Sequence, residues 1–148
     1  MRDVRLLHEA FDPANQSQLL ANACPDAGGI ASFTGQVRAG SGVEVLELIH
    51  YAPLTLPGME QLAERAMARF ELAGLLMIHR TGLMRPGEPI VCVSAAARHR
   101  RSAIEAVDFC MDHLKSAAWF WKRELREDGW HWIEPRPDDY ADLARWDE

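Results

Sequence analysis

The segment RRSAIEAVDFCMDHLK, from Arg100 to Lys115, carries the clearest periodic pattern in this chain. Its apolar residues recur every three or four positions, which is the spacing that places side chains on one face of an α-helix. The residues of this stripe are Ala103, Val107, Cys110 and Leu114, with Ile104 and Met111 beside them. The pattern predicts a long amphipathic helix over Arg100–Lys115.

Strand patterns flank this helix on both sides. Strands are predicted over Val4–Glu9, Ile30–Val37, Val43–Tyr51, Leu75–Arg80, Ile90–Ala96 and Trp130–Glu134. The turn at Arg85–Glu88 connects two of them directly, so neighbouring strands are joined by turns as well as by helices. This mixture predicts an α+β fold, and because no linker interrupts it we expect residues 1–148 to form a single domain.

Further helices are predicted between the strands. Asp12 and Pro13 mark the start of the first helix, as an acceptor at the cap and a proline in the first turn. The predicted helices are Gln16–Cys24, Pro57–Leu72 and Asp138–Trp146, together with a shorter one that follows the long helix and ends at Glu124.

Composition excludes several classes of function. The 148 residues carry a net charge of −6, whereas binding to nucleic acid or to anionic membranes requires an excess of cations. No run approaches the roughly eighteen apolar residues of a membrane span, and the charged N-terminus is unlike a signal peptide. Cys24, Cys92 and Cys110 are far apart, and the sequence contains neither a CxxC pair nor an HExxH helix. We expect buried free thiols, no metal site and a cytoplasmic location.

Lysine is rare and localised in this sequence. It occurs twice, at Lys115 and Lys122, whereas arginine occurs fourteen times. If the segment between them is helical, seven residues make nearly two turns, and both ammonium groups project from one face about 10 Å apart. Unlike arginine, a crowded or desolvated lysine can lose its proton and act as a base or nucleophile. The two lysines are therefore candidate catalytic residues; the alternative is that two surface lysines lie close by chance.

Arginines cluster at the ends of predicted strands and helices. FTGQVR ends a strand at Arg38, and Arg136 follows the last strand. RHRR, Arg98–Arg101, opens the long helix, where positive charge opposes the helix dipole unless an anion is bound. Together with the two lysines, these residues predict a pocket for a small anionic molecule in an acidic protein. For Arg38 taken alone, the alternative is a solvated charge at a strand end.

Two histidines and a group of aromatic residues have less specific patterns. His50 and His79 lie within apolar strands, where a histidine is more often a hydrogen-bonded core or strand-end residue than a catalyst, and we predict that role for both. The aromatic residues are Trp119, Phe120, Trp121, Trp130 and Trp132. We expect most of them to fill the core; the alternative is a surface for a planar ligand or a partner chain.

Several separated motifs, in order, resemble one known family. They are FTGQVR, HY, IHRTGLMRPGE, RHRRSAIEAVDFCMDHLK, WKRE and a tryptophan-bearing strand that ends in Glu-Pro-Arg, and they run from about Gly28 to Arg136. This order is similar to that of the large, catalytic subunit of molybdopterin synthase. The resemblance implies an α+β fold of the α/β-hammerhead type, with a mixed antiparallel sheet packed against helices.

The resemblance also implies an activity and partners. A homodimer would bind a small ubiquitin-like subunit at each end, which makes a heterotetramer. The small subunit's C-terminal Gly-Gly, carrying a thiocarboxylate, would enter the active site and donate sulfur to cyclic pyranopterin monophosphate, forming the molybdopterin dithiolene. This sulfurtransferase chemistry requires no metal or redox cofactor.

The resemblance assigns residues to the site by matching motifs. The substrate-binding positions are Gln36, Val37, Arg38, His99, Arg100, Lys115, Lys122, Arg123, Glu124 and Arg136, of which Lys115 and Lys122 would be catalytic. Arginine guanidinium groups match phosphate oxygens. We expect Lys115, crowded by cations, to act as base or nucleophile, and Lys122 to stabilise developing negative charge.

The sequence departs from the family pattern at three places. Ile49 stands where a glutamate commonly precedes the His-Tyr pair, Trp119 stands where a proline is usual, and Ala52–Pro57 is longer than usual. Two other classes of function remain as alternatives. One is a non-catalytic module with the same fold that binds an anion or a partner, and the other is a nucleic-acid binder that uses RHRR and the tryptophans, which the net charge disfavours.

Overall fold

A computed structural model describes residues 1–117 and 119–147 of this chain. The elements in chain order are β1 (Arg2–Leu7), α1 (Pro13–Ala23), β2 (Gly29–Gln36), β3 (Val45–His50), α2 (Ala52–Phe70), β4 (Gly74–Arg80), β5 (Gly82–Met84), β6 (Pro89–Ala97), α3 (Arg100–Ser116), β7 (Phe120–Arg126), β8 (Gly129–Ile133) and α4 (Pro137–Ala144), followed by a short 3-10 helix (Arg145–Asp147). The strands form two four-stranded sheets, and the predicted α+β class is confirmed.

The first sheet has the strand order β1-β4-β6-β2 and is covered by helices on both faces. β1 runs parallel to β4, and the other pairs are antiparallel. Helix α1 packs on one face, where Leu20 is buried against Leu76 and Ile78. Helices α2 and α3 cover the other face, where Leu62 and Phe109 are fully buried. The central strand β4 is buried along its whole length because both of its faces are covered.

The second sheet has the order β5-β3-β7-β8 and is antiparallel throughout. Its strands alternate between a buried and an open face, as expected for a sheet that is covered on one side. Leu46 and Leu48 of β3 are buried with Val37 and Met84 on the inner face. On the opposite face, Trp121 and Trp132 are half-exposed or more. The prediction that most of the aromatic group fills the core is therefore wrong for these tryptophans.

Local signals located two helices well. Asp12 caps α1, because its carboxylate accepts hydrogen bonds from the backbone N–H groups of Ala14 (3.1 Å) and Asn15 (3.3 Å), and Pro13 occupies the first turn. Helix α3 covers Arg100–Ser116, one residue longer than predicted. Its apolar stripe is buried against the first sheet and α2, as the periodicity indicated.

The predicted helix through Glu124 is wrong. Helix α3 ends at Ser116, and Phe120–Arg126 is the strand β7. This strand pairs with β3 on one side and with β8 on the other, and Lys122 lies opposite Leu48 and Ile133. Two ladders of backbone hydrogen bonds thus favour the extended conformation over the helical spacing of the two lysines. Lys115 and Lys122 therefore belong to different elements.

The start of α2 and the strand β5 also differ from the prediction. Helix α2 begins at Ala52 rather than at Pro57, so the long Ala52–Pro57 segment is its first turns. Tyr51 O accepts hydrogen bonds from the backbone N–H groups of Leu54 (2.9 Å) and Thr55 (3.0 Å), which starts the helix ahead of the proline. The three-residue strand β5 was not predicted, because so short an edge strand has no periodicity to detect.

The three cysteines are buried free thiols, as predicted. Among residues 1–117 and 119–147, no helix is both long enough and apolar enough to cross a membrane.

Candidate active site

A cavity of about 150 Å³ lies between the two sheets, beside the C-terminal end of α3. Strands β2, β4 and β6 contribute one wall, the inner face of the second sheet contributes another, and α3 closes one end. The lining residues are Phe33, Gly35, Gln36, Leu46, Leu48, His79, Ile90, Val91, Met111, Leu114, Lys115, Ala117, Phe120, Lys122, Ile133 and Pro135. Most of them are apolar, which suits the body of a planar organic ligand.

Four side chains give this lining its polar character, and two of them are cationic. They are Gln36, His79, Lys115 and Lys122, and among the described residues the lining contains no aspartate or glutamate. Because the cavity walls are otherwise apolar, the half-buried ammonium group of Lys122 acts in a poorly screened environment. The arrangement favours an anionic group on a largely apolar ligand. A metal would find few ligands here, since no cluster of three or more His, Cys, Asp or Glu side chains suited to a metal occurs in the described residues.

The two lysines reach the cavity from different elements. Lys115 lies in the last turn of α3, where the helix dipole favours a cation, and it is exposed. Lys122 lies at the middle of β7 and is half-buried. Burial and the nearby charge of Lys115 lower the pKa of Lys122 from its ordinary value, and the carboxylates of Asp139 and Glu124 partly oppose this shift. The cavity thus holds one accessible cation and one lysine that is disposed to release its proton.

His79 is the buried polar residue of the site. Its imidazole stacks on the ring of Phe120, with 4.0 Å between the ring centroids and 20° between the planes. Its Nδ1 lies 3.0 Å from the backbone oxygen of Arg80. Burial, together with the charges of Lys122 and Lys115, lowers its pKa to about 4. The side chain is therefore neutral at pH 7 and fixed in orientation, as predicted for a core histidine, but it also borders the cavity.

The first predicted cluster, Gln36 to Arg38, divides into three different environments. Gln36 lines the cavity, just after an irregularity in the pairing of β2 with β6. Val37 is buried in the core of the second sheet, so its side chain packs and does not face a ligand. Arg38 is exposed at the start of the following loop, two residues beyond the cavity wall.

The second predicted cluster, after Lys122, mostly faces elsewhere. Arg123 points to the outer face of the second sheet, where it pairs with Glu47 at 2.6 Å and lies over the ring of Trp130 at 4.1 Å. Glu124 pairs with Arg126 at 2.9 Å. Neither residue lines the cavity. Arg123 lies on the opposite face because side chains alternate across a strand, whereas Glu124 lies on the same face as Lys122 and is engaged by Arg126.

Arg136 lies near the cavity, at the start of α4. Its backbone N–H and its guanidinium group donate hydrogen bonds to the carboxylate of Asp139, at 2.9 Å and 3.4 Å. The guanidinium group is largely exposed, and its charge contributes to the lowered pKa of Lys122. Sequence patterns alone had not indicated Asp139 as a neighbour of the lysines, because its position depends on how α4 packs.

His99 and Arg100 lie far from the two lysines within one chain. They form the N-terminal end of α3, whereas Lys115 lies in its last turn. Fifteen residues of α-helix separate Arg100 from Lys115, which corresponds to about 22 Å along the axis. Both residues are exposed, and the His99 side chain forms no capping hydrogen bond. One copy of the chain therefore does not bring all predicted site residues together.

Two of the departures from the family pattern have clear structural positions. Ile49 lies on the outer face of β3, opposite Trp121 of β7, and so does not face the cavity. Trp119 precedes β7 and packs against Gly58 of α2. Thr55 Oγ1 also lies 3.1 Å from Trp119 O, which ties the entry of β7 to α2.

This fold and this site define a class of protein: an α+β protein with a cationic, mostly apolar cavity between its two sheets. A family model described as "MoaE protein" matches residues 6–117. The chain belongs to this family.

Individual relatives agree with this assignment. A protein of Caulobacter vibrioides named "Molybdopterin synthase catalytic subunit" is 40% identical over 146 residues, which covers 98% of this chain and 97% of that protein. A protein of the same name from Cereibacter sphaeroides is 42% identical over 139 residues, which covers 93% of this chain and 95% of that protein. The solved MoaE protein of Burkholderia ambifaria superposes with a TM-score of 0.85 at 36% identity, covering 100% of this chain and 99% of that chain. The predicted hammerhead-type fold is confirmed.

Proposed function

We propose that this protein is the catalytic subunit of a molybdopterin synthase. It would transfer sulfur from the thiocarboxylated C-terminus of a small ubiquitin-like subunit to cyclic pyranopterin monophosphate. The observation that carries this proposal is that the chain's two lysines, on different elements, converge on one cavity, whose lining has no carboxylate within residues 1–117 and 119–147. The relatives named as molybdopterin synthase catalytic subunits support the reaction class.

The two lysines divide the chemistry between them. Lys122 is half-buried and its pKa is lowered, so it is the better candidate for proton transfer or transient nucleophilic attack. Lys115 is exposed at the cavity and is better suited to hold the anionic thiocarboxylate or phosphate. This assignment reverses the roles expected from the sequence. The reason is burial, which the predicted common helix did not distinguish.

The sulfur atom must come from outside this chain. The thiocarboxylate sulfur would form a C–S bond to a pterin carbon and displace the oxygen that this carbon carries, and water would then cleave the bond between that sulfur and the tail's carbonyl carbon. The tail would leave as a carboxylate, and the sulfur would stay on the pterin. None of the three cysteines lines the cavity, and all three are buried in the core. This supports a partner as the sulfur donor.

We infer that the partner is a small sulfur-carrier subunit with a C-terminal Gly-Gly. A solved structure from Helicobacter pylori, which shares the fold at 19% identity and a TM-score of 0.76, is described as a complex of subunits 1 and 2 of molybdopterin-converting factor. A glycine tail can enter a narrow cavity because its backbone approaches closely without side-chain clashes. We propose that two large and two small subunits assemble in this way. Each large subunit would be a single domain, and the complex would lie in the cytoplasm.

A homodimer would account for the separation of His99 and Arg100 from Lys115. These exposed residues lie about 22 Å from the lysine along α3, too far to share one small ligand with it. In a symmetric dimer the same surface of a second copy faces the first, so its α3 N-terminus can approach the neighbouring cavity. We propose that each site takes His99 and Arg100 from the other copy.

Reconstitution tests the proposed function. The purified protein is mixed with a thiocarboxylated small subunit and cyclic pyranopterin monophosphate, and dithiolene formation is measured. Product that disappears in Lys122→Ala but persists in a control such as Arg85→Ala, on an exposed turn, supports the synthase. A protein that binds the small subunit or the pterin without forming product would instead be the non-catalytic module.

A further inference from the structure

His79 occupies a position that its structural contacts only partly explain. Phe120 covers one face of the imidazole, and β1 and β6 flank its strand through backbone pairing at Leu6 and Val91. Nδ1 is satisfied by the backbone oxygen of Arg80 at 3.0 Å. These contacts fix the ring in one orientation. They leave the Nε2 edge of the ring to be accounted for.

Nε2 of His79 opens on the cavity. The residue borders the cavity together with Lys115 and Lys122. Among the described residues, Nε2 has no hydrogen-bond partner. The fully enclosed side-chain nitrogens without a partner are His50 Nδ1 and Arg80 Nε and Nη1, and His79 Nε2 is not one of them. This nitrogen is unpaired and is not enclosed by protein, and its residue borders the cavity. Nε2 therefore faces the cavity.

The contact with Arg80 determines the tautomer. A backbone oxygen can only accept, so Nδ1 carries the proton, and in a neutral imidazole Nε2 is then left with its lone pair. The pKa of about 4, lowered first by burial, keeps the ring neutral at pH 7. The cavity thus contains a fixed nitrogen acceptor beside two ammonium donors. Gln36 is the other uncharged polar side chain in the lining.

We propose that His79 is a substrate-binding residue whose Nε2 accepts a hydrogen bond from an N–H or O–H donor on the ring system of the ligand. The lysines would hold the anionic part of the ligand, while the hydrogen bond to His79 would select one orientation of its heterocycle. This inference rests on the proposed function, because it concerns the substrate of the same cavity. A site with only cations would bind the phosphate equally well with the ring in either orientation.

Two substitutions separate this role from a purely structural one. Asparagine at position 79 can still donate to Arg80 O from near the Nδ1 position, but it lacks a group at the Nε2 position. Glutamine places its terminal oxygen or nitrogen near the Nε2 position, but it loses the local bond to Arg80 O. If Nε2 accepts from the substrate, His79→Asn should lower kcat/KM about tenfold, as for one lost hydrogen bond, and His79→Gln should retain more activity. If His79 only supports the fold, the order of the two variants should be reversed, which would overturn the proposal.

A spectroscopic measurement removes any ambiguity from misfolding. In protein labelled with ¹⁵N-histidine, the unprotonated Nε2 resonance of His79, assigned through nuclear Overhauser contacts between its ring and Phe120, should move upfield when cyclic pyranopterin monophosphate is added. A resonance that stays unchanged at saturating ligand would overturn the proposal even if both variants unfold. His131→Asn, at an exposed position paired with Asp128 at 2.7 Å, is the matched control and should leave turnover unchanged.

The proposed function and the role of His79 fail on different outcomes. If the unmodified protein makes no dithiolene with both partners present, the proposed function fails. If it makes dithiolene, but the Nε2 resonance does not respond and His79→Asn is as active as His79→Gln or more so, only the assignment of His79 fails.

Discussion

Gly58 lies directly against the indole of Trp119, so closely that a β-carbon at position 58 would come within 2.6 Å of Trp119 Nε1 and 2.5 Å of Cζ2. Real side chains do not approach one another so closely. This contact joins α2 to the residue that precedes β7, and Lys122 lies three residues further on. The glycine is therefore required by packing with Trp119.

Gly58→Ala should destabilise the protein by about 1–3 kcal/mol through overpacking. In an open helix the same change would stabilise by roughly 1 kcal/mol, because alanine is the better helix former, so the sign of the effect reports the clash. Chemical denaturation measures it. In a Trp119→Ala background the clash is absent, and Gly58→Ala should then be neutral or stabilising. A loss of stability of the same size in both backgrounds would contradict this account.

Lys122→Ala should reduce turnover by at least about a hundredfold with the fold intact, because it removes the group proposed for proton transfer. Lys115→Ala should also abolish most of the activity. Lys122→Arg should not restore it, since a guanidinium group stays protonated at any usable pH. In the unmodified protein kcat/KM should rise with pH as Lys122 loses its proton, below the ordinary lysine range, because burial lowers its pKa. Full activity of Lys122→Arg would show that Lys122 contributes only its positive charge.

Arg38→Ala and Arg100→Ala should each weaken pyranopterin binding by roughly 1.5–3 kcal/mol, the contribution of a charge-assisted hydrogen bond. Titration of the ligand measures this. If each site takes Arg100 from the other copy, co-expression of Arg100→Ala with Lys122→Ala chains should recover about a quarter of the unmodified activity, since half of the randomly formed dimers contain one intact site. The assay is run at a pyranopterin concentration too low to saturate the Arg100→Ala variant. No recovery above that of the separate variants would show that Arg100 and Lys122 act within one copy or not together.

Acid should destabilise the protein through His79. The unfolded histidine titrates near 6.5, whereas the folded one titrates at about 4, so between these values the unfolded state binds more protons. Stability therefore falls as pH falls from 6.5 to 4, by roughly 3 kcal/mol in total. His79→Phe keeps an aromatic ring next to Phe120 but cannot bind the proton, so its stability should depend less on pH. Urea denaturation across this range compares them, and parallel curves would contradict the buried neutral histidine.

Assembly should depend on two separable surfaces. Light scattering should show a dimer of this chain alone and a heterotetramer after addition of the small subunit. Deleting the small subunit's terminal Gly-Gly should abolish sulfur transfer even where the globular surfaces still bind. A stable monomer that forms dithiolene from free sulfide would contradict this scheme.

The sequence by itself determined the features that depend on neighbouring residues along the chain. The cap at Asp12 was visible because its partners are two and three residues away. The stripe of α3 was visible because burial on one helix face repeats every three or four residues. The order of strands and helices, and the family resemblance that rests on motif order, are of the same kind.

Tertiary structure alone decided the geometry of the site. Lys115 and Lys122 are seven residues apart, and a helix through both was the local expectation. Strand β7 forms instead because β3 and β8 supply its backbone partners. Of these two, β3 lies about seventy residues earlier in the chain. The same long-range pairing turns Arg123 to the opposite face and places Phe120 on His79. Whether a charged or polar residue meets the cavity depends on which strands become neighbours, and the free energy of that pairing comes from contacts that no local pattern encodes.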